Sequence, residues 1–124
     1  MIDHVSLQCQ DPTAAAAFYD TVLAALGGRR TFDFTPVIGY GTDDGNAPLW
    51  IGPADTPGEA RETHLAFTAP DRAAVDAFHA AAVAQGAAVL HAPAVHPEYH
   101  EHYYAAFVRD PDGNNVEAVC HTPA

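Results

Sequence analysis

The chain has 124 residues and a mass of 13.1 kDa, which is the size of one ordinary domain and excludes a multidomain enzyme. Apolar residues make up 48% and charged residues 17% of the sequence, so a packed globule is expected rather than a disordered chain. Five arginines, no lysine and sixteen acidic residues give a formal net charge of −11, which disfavours nucleic-acid binding. The lack of lysine also excludes Schiff-base catalysis and a P-loop.

No stretch approaches eighteen consecutive apolar residues, and no basic segment followed by a hydrophobic run opens the chain. Neither a membrane span nor a secretory signal is therefore expected. The two cysteines, Cys9 and Cys120, are too few for a disulfide framework and are interpreted as buried structural thiols. A cytoplasmic location is predicted.

The first elements along the chain are a strand and a helix. Residues 3–9 alternate between polar and apolar side chains, which predicts a half-buried strand with His4 on its more polar face. The run Thr13–Leu26 has an apolar stripe at helical spacing, with Asp11 or Thr13 as the N-cap and Gly27 as the stop. Three short strand-like segments follow, bounded by turn residues: Arg30–Phe34, Val37–Tyr40 and Pro48–Ile51.

The second half of the chain repeats this order. His64 lies in an alternating run, and a helix is predicted from about Asp71 to Ala84. His4 and His64 are sixty positions apart, as are Phe18 and Phe78, so the unit βαβββ is repeated. The later strand-like segments are Ala88–Leu90, Tyr103–Val108 and Val116–Cys120. One domain over residues 1–124 is predicted, with module one at about 1–52, a polar linker at 53–61 and module two at about 62–122.

A histidine-rich loop is predicted over residues 91–102. Loops this long in a small domain are often functional. His100 and His102 lie just before the next strand, where they either serve as general acid–base residues of a cleft, form a second metal site or are solvated. His91 and His96 are interpreted as solvated loop residues.

The stretch Asp110–Asn115 predicts a tight turn that joins two strands into a hairpin. With the turn centred on its Asp-Gly pair, Val108 lies opposite Glu117, and Tyr104 shares the face of Glu117. Tyr104 is therefore predicted either to orient or protonate an oxyanion there, or only to pack.

Glu117 interrupts an otherwise apolar strand. A buried carboxylate without a partner costs several kcal/mol, so Glu117 should be paired, bind a metal or face a wet cleft. A single histidine in a strand is usually a surface residue or a satisfied core residue. However, His4 and His64 occupy equivalent repeat positions, and with Glu117 they supply two imidazoles and a carboxylate. That set suits a divalent metal ion, with iron, nickel, manganese and zinc as the candidates.

Paired βαβββ modules, with a histidine in the opening strand of each and a glutamate in the last strand, resemble the vicinal oxygen chelate superfamily. This superfamily includes glyoxalase I, bleomycin resistance proteins, fosfomycin resistance enzymes and extradiol dioxygenases. The stretch Tyr103–Val119, YYAAFVRDPDGNNVEAV, is especially similar to the closing hairpin of bacterial glyoxalase-like members. The resemblance spans nearly the whole chain.

The resemblance implies an α+β fold in which the two modules form an incomplete mixed-sheet barrel around a metal, in a homodimer. It assigns the metal positions to His4, His64 and Glu117, with His4 coming from the same chain or from its partner. Glyoxalase I has a fourth ligand, a glutamate in the last strand of module one. Aligning the Asp-Gly turns of the two modules places Leu49 at that position, and no residue from Pro48 to Ile51 offers a ligand.

The predicted function is that of a small metal-dependent glyoxalase-like enzyme with lyase or isomerase chemistry on a small vicinal-oxygen substrate. One alternative is a metal-free ligand-binding protein of the bleomycin-resistance kind, whose dimer interface encloses a cationic or aromatic ligand. The net charge and the apolar segment Leu49–Ile51 fit that alternative, and Trp50 is interpreted as a core or interface residue. A small dioxygenase is the other alternative.

Overall fold

The computed structural model describes all 124 residues as two βαβββ modules in series. Module one contains β1 (Val5–Cys9), α1 (Pro12–Ala24), β2 (Arg29–Phe34), β3 (Val37–Gly41) and β4 (Leu49–Pro53). Module two contains β5 (His64–Thr68), α2 (Arg72–Ala84), β6 (Val89–Val95), β7 (Tyr104–Arg109) and β8 (Asn115–Cys120). The predicted α+β fold and the repeated order of elements are confirmed.

Each module forms one four-stranded mixed sheet. The strand order is β1-β4-β3-β2 in sheet one and β5-β8-β7-β6 in sheet two. The first and last strands of each module are parallel neighbours, and the remaining pairs are antiparallel. The two sheets stay separate and do not close into a barrel within the chain.

Both helices begin at an aspartate. Asp11 caps α1 by accepting from the Ala14 backbone N–H, and Asp71 caps α2 by accepting from that of Ala74. α1 ends at Ala24, two residues before the predicted end, because the Gly28 backbone N–H turns back to the carbonyl of Leu23. Gly27 permits this closure with a φ of 81°. Neither helix is long and apolar enough to span a membrane.

The core lies between the helices and one face of each sheet. It joins both modules in a single cluster of 22 buried residues, which includes Phe18, Val22, Val75, Phe78 and Val116. The other face of each sheet has no helix packed on it and is called its open face below. The open face of sheet one carries Ser6, Phe32 and Trp50, and the open face of sheet two carries His64, Phe107 and Glu117.

The turn between β7 and β8 sets the register of the closing hairpin. Arg109 pairs with Asn115, and Phe107 pairs with Glu117. The predicted register, with Val108 opposite Glu117, is wrong by one residue because the Asp110 N–H bonds the Asn114 carbonyl across a three-residue turn. A one-residue slip moves every side chain of a strand to the other face.

Strand β6 reaches Val95, so His91 lies in a strand and not in the predicted loop. β6 is an edge strand, and its pairing with β7 shifts register on both sides of His91. An edge position and an irregular ladder accommodate Pro93 within the strand. The remaining loop covers residues 96–103.

Candidate functional site

The structure brings His64 and Glu117 together on the open face of sheet two. β5 and β8 are parallel neighbours with Ala66 paired to Glu117, so His64 and Glu117 point to the same side. His64 Nε2 lies 2.8 Å from Glu117 Oε2. The Glu117 side chain is only 1% exposed, whereas that of His64 is 52% exposed. Of the three alternatives predicted for this buried carboxylate, the structure shows the first, a paired side chain.

Tyr103 is the second partner of Glu117. Its hydroxyl donates a hydrogen bond to Glu117 Oε1, and burial together with this bond raises the pKa of Tyr103. Tyr104 lies on the opposite side of β7, where its hydroxyl donates to Asp76 Oδ1 of α2 at 2.7 Å. The expectation that Tyr104 faces Glu117 is therefore wrong, because it followed from the slipped register.

His4 does not join the pair within the chain. It precedes β1, its side chain is 57% exposed, and its Nδ1 lies 2.6 Å from Asp3 Oδ1. No three side chains of the kind that bind metals lie together in the chain. Within one chain, the structure therefore brings together two of the three predicted metal ligands, His64 and Glu117, and leaves His4 apart.

Of the loop histidines, His100 lies beside the site. Its Nε2 is 2.7 Å from Nδ1 of His121, and both rings pack edge-on against the ring of Tyr103. His102 donates its backbone N–H to His100 Nδ1, and its ring pairs with Glu101 at 3.4 Å. The structure therefore brings His100 to the edge of the site and shows no hydrogen bond from His102 to Glu117.

His96 is not the solvated residue that the sequence suggested. Its side chain is 14% exposed, and its Nε2 is buried without a hydrogen-bond partner. The ring packs against Phe107 on the open face of sheet two, with centroids 5.4 Å apart. Leaving a buried polar atom without a partner costs about 1–3 kcal/mol, so the position calls for an explanation. The sequence feature that could have pointed to His96 was Glu98, a carboxylate two residues away that can pair with its imidazole.

The sequence profile described as the Glyoxalase/Bleomycin resistance protein/Dioxygenase superfamily matches residues 1–118. The chain belongs to this superfamily. Its fold resembles that of a glyoxalase/bleomycin resistance protein from Albidiferax ferrireducens T118, with 27% identity, a TM-score of 0.81, and coverage of 94% of this chain and 96% of that one. A lactoylglutathione lyase from Agrobacterium tumefaciens has 26% identity, a TM-score of 0.67, and coverage of 96% and 92%. No curated protein matches the chain.

Divalent metals are common in the superfamily, and the donor pair in this chain fits one. Two neighbouring ligands of an octahedral ion with bonds of about 2.1 Å lie about 3 Å apart. The 2.8 Å between His64 Nε2 and Glu117 Oε2 is close to that separation. An imidazole nitrogen and a carboxylate oxygen are also donors that iron, nickel, manganese and zinc accept.

In sheet one, Trp50 occupies the position equivalent to Glu117. Ser6 pairs with Trp50 as Ala66 pairs with Glu117, and Ser6 and Ala66 are sixty positions apart, like His4 and His64. The predicted counterpart, Leu49, instead faces the core and is 4% exposed. The turn-based alignment was thus off by one residue, although neither residue is a metal ligand. The fourth ligand of glyoxalase I has no equivalent here.

Trp50 is part of an aromatic platform, which is composed of Phe32, Phe34 and Trp50. The ring of Trp50 stacks with Phe32 at 5.5 Å and with Phe34 at 6.3 Å, and Phe34 is 65% exposed. Trp50 lies across Gly39, where a Cβ atom would approach its Cζ2 to 3.0 Å. Glycine at this position leaves room for the indole beside the backbone.

Proposed function

We propose that the protein is a small metal-dependent enzyme of glyoxalase-like type, with lyase or isomerase chemistry on a small substrate that carries two neighbouring oxygens. The observation that carries the proposal is Glu117, a carboxylate 1% exposed on a sheet face without a helix, held against His64 Nε2 at 2.8 Å. A well-packed apolar residue would be at least as stable there. A functional role for the charge accounts for its presence.

His64 and Glu117 would hold the ion, with His4 as the third ligand. A divalent ion at such a site polarises substrate oxygens and stabilises the negative charge that develops on them. The hydroxyl of Tyr103 fixes the orientation of the Glu117 carboxylate, as outer hydrogen bonds do for metal ligands. His100 stays a candidate acid–base residue because it packs against Tyr103, which contacts Glu117. His102 pairs with Glu101 and Tyr104 donates to Asp76, so neither is proposed as a catalytic residue.

A homodimer supplies the missing ligand. His4 lies at the start of the strand that borders the open face of sheet one, and His64 and Glu117 lie on that of sheet two. A two-fold axis that sets sheet one of one copy against sheet two of the other would bring His4 to the pair. The same contact would form two sites per dimer and cover both open faces.

The proposed substrate class is small molecules that carry two neighbouring oxygens. The relative from Agrobacterium tumefaciens is a lactoylglutathione lyase, which supports lyase chemistry on a vicinal-oxygen compound. Trp50 in place of a fourth ligand favours a substrate other than the glutathione adduct of methylglyoxal. The two free, buried cysteines fit a reducing compartment such as the cytoplasm.

Metal analysis tests this proposal. Protein incubated with iron, nickel, manganese or zinc and then desalted should retain about one ion per chain, because two imidazoles and a carboxylate bind tightly. His64→Ala and Glu117→Gln should each retain little metal, whereas His79→Ala on α2 should match the parent. Equal metal content in the parent and the Glu117→Gln variant would contradict the assignment.

A metal-free ligand-binding protein is the second candidate, and the aromatic platform favours it. Three neighbouring aromatic rings on an open sheet face, of which Phe34 and Trp50 are nearly parallel, suit a planar aromatic cation in a chain of net charge −11. A rise in melting temperature with acridine orange, lost in Trp50→Ala, together with no retained metal in the parent, would favour this candidate over the enzyme.

A further inference from the structure

His96 is held firmly in place at the start of the loop over residues 96–103. Its backbone N–H donates to the Tyr103 carbonyl at 2.7 Å, and its own carbonyl accepts from the Tyr99 N–H at 3.1 Å. Its ring stacks on that of Tyr99 and packs edge-on against Phe107 and His91. Backbone and ring contacts together fix both the position and the plane of the imidazole.

Glu98 determines which nitrogen of His96 carries the proton. Its Oε1 lies 3.1 Å from His96 Nδ1. Hydrogen bonds from its own backbone N–H and from His96 hold the pKa of Glu98 below its usual value, so the carboxylate is ionised near neutral pH and can only accept. Nδ1 therefore donates, and the lone pair of the neutral imidazole is on Nε2.

Nε2 is the nitrogen that is buried without a partner. An imidazole with a carboxylate at Nδ1 and a free lone pair at Nε2 is the arrangement of a general base. Phe107 links this base to the candidate metal site, because its ring centroid lies 5.4 Å from that of His96 and 6.0 Å from that of His64. A ligand lying over Phe107 would reach both histidines.

We propose that His96 is the base that takes a proton from a ligand bound on the open face of sheet two, and that Glu98 is its positioning residue. This inference rests on the proposed function and deepens it. The ligand class is a small molecule with an acidic hydroxyl next to a second oxygen. In the step, the O–H bond breaks, its electron pair stays on the ligand oxygen, and the proton forms an N–H bond at Nε2. Glu98 then faces an imidazolium ion and stabilises it.

The ring of Tyr99 covers one face of the His96 imidazole. This ring stacks on His96 at an interplanar angle of 24°, and Tyr99 is 61% exposed. Moving this exposed ring therefore uncovers one face of the imidazole without breaking the strands. The other titratable side chains around the ring are His91 and Tyr103.

Proton counting with acetohydroxamate tests the proposal. This probe has two neighbouring oxygens and loses its O–H proton when it chelates a divalent ion. Its binding to metal-loaded protein at pH 7 is measured by titration calorimetry in two buffers of different ionisation enthalpy. The parent and His102→Gln should release about zero protons to the buffer, because His96 takes the proton that acetohydroxamate loses. His96→Gln lacks this base and should release about one proton. Glu98→Gln should fall between them.

The outcomes separate the two proposals. Equal proton release by the parent and His96→Gln, or no binding of acetohydroxamate to protein that retains metal, would overturn the role of His96 and leave the metal site in place. Failure of every form to retain metal would overturn the proposed function and this inference with it.

Imidazole ¹⁵N shifts of the metal-free protein supply a second readout, since His96 should carry its proton on Nδ1 in the parent and lose that preference in Glu98→Gln. A proton on Nε2 of the parent would also overturn the proposal.

Discussion

Two adjacent tyrosines, Tyr103 just before β7 and Tyr104 at its first position, have different roles because their side chains point to opposite sides of the chain. Tyr103 donates to Glu117 on the open face of sheet two, and Tyr104 donates to Asp76 of α2. Arg72 also lies 4.9 Å from the centre of the Tyr104 ring, which fixes Tyr104 on the helix side. A change at Tyr103 therefore tests the site, and the same change at Tyr104 is its matched control.

Tyr103→Phe should weaken metal binding by about tenfold or more, because loss of an outer hydrogen bond to a ligand typically costs 10–100-fold in affinity. Tyr104→Phe should bind metal like the parent. Competition with a chromogenic chelator measures both affinities. If Tyr104→Phe were the weaker binder, the register of the hairpin, and with it the site, would be wrong.

At the scale of elements, the β7–β8 turn also joins the two modules. Asp110 is 5% exposed and accepts from the Tyr19 hydroxyl of α1 at 2.6 Å and from Asn114 Nδ2 at 2.8 Å. Asp112 of the same turn accepts from the Gln10 backbone N–H of module one at 2.8 Å. Burial, followed by the charge of Asp110, raises the pKa of Tyr19, so its hydroxyl stays a donor. The turn is thus an inter-module joint as well as a hairpin connection.

Tyr19→Phe should lower the free energy of unfolding by about 1–3 kcal/mol, since it removes one donor from a buried carboxylate. Tyr40→Phe is the matched control, because the Tyr40 hydroxyl donates to Asp20, whose side chain is 40% exposed and can bind water instead. Urea unfolding should show the smaller loss for Tyr40→Phe. The reverse order would mean that the Asp110 joint does not stabilise the chain.

The sequence predicted the elements well, because periodicity and capping residues are local. Asp11, Asp71 and the glycines after the helices mark helix ends without reference to the rest of the chain. Register was harder, since the turn of Asp110–Asn115 fits two-residue and three-residue loops, and one residue decides which tyrosine faces Glu117. Burial of His96 could not be predicted, because it depends on Phe107 of β7 and on Tyr103 at the far end of the loop packing around its ring.

At the scale of the whole molecule, each chain has two helix-free sheet faces with different chemistry. Sheet one presents the aromatic platform, and sheet two presents His64, Glu117 and Tyr103. His4, which superfamily resemblance assigns to the metal, is separated from the other two donors within the chain. We therefore expect a complete metal site to need two copies of the chain.

Complementation between variants tests this claim most directly. His4→Ala and Glu117→Ala should each retain little metal when alone. After unfolding and refolding as an equal mixture, they should recover about a quarter of the parent's metal per chain, because half of randomly formed dimers are mixed and each mixed dimer has one intact site. A mixture of His64→Ala and Glu117→Ala is the control and should recover none, since both changes lie in sheet two. No recovery in the first mixture, with metal retained by the parent, would contradict a site shared between chains.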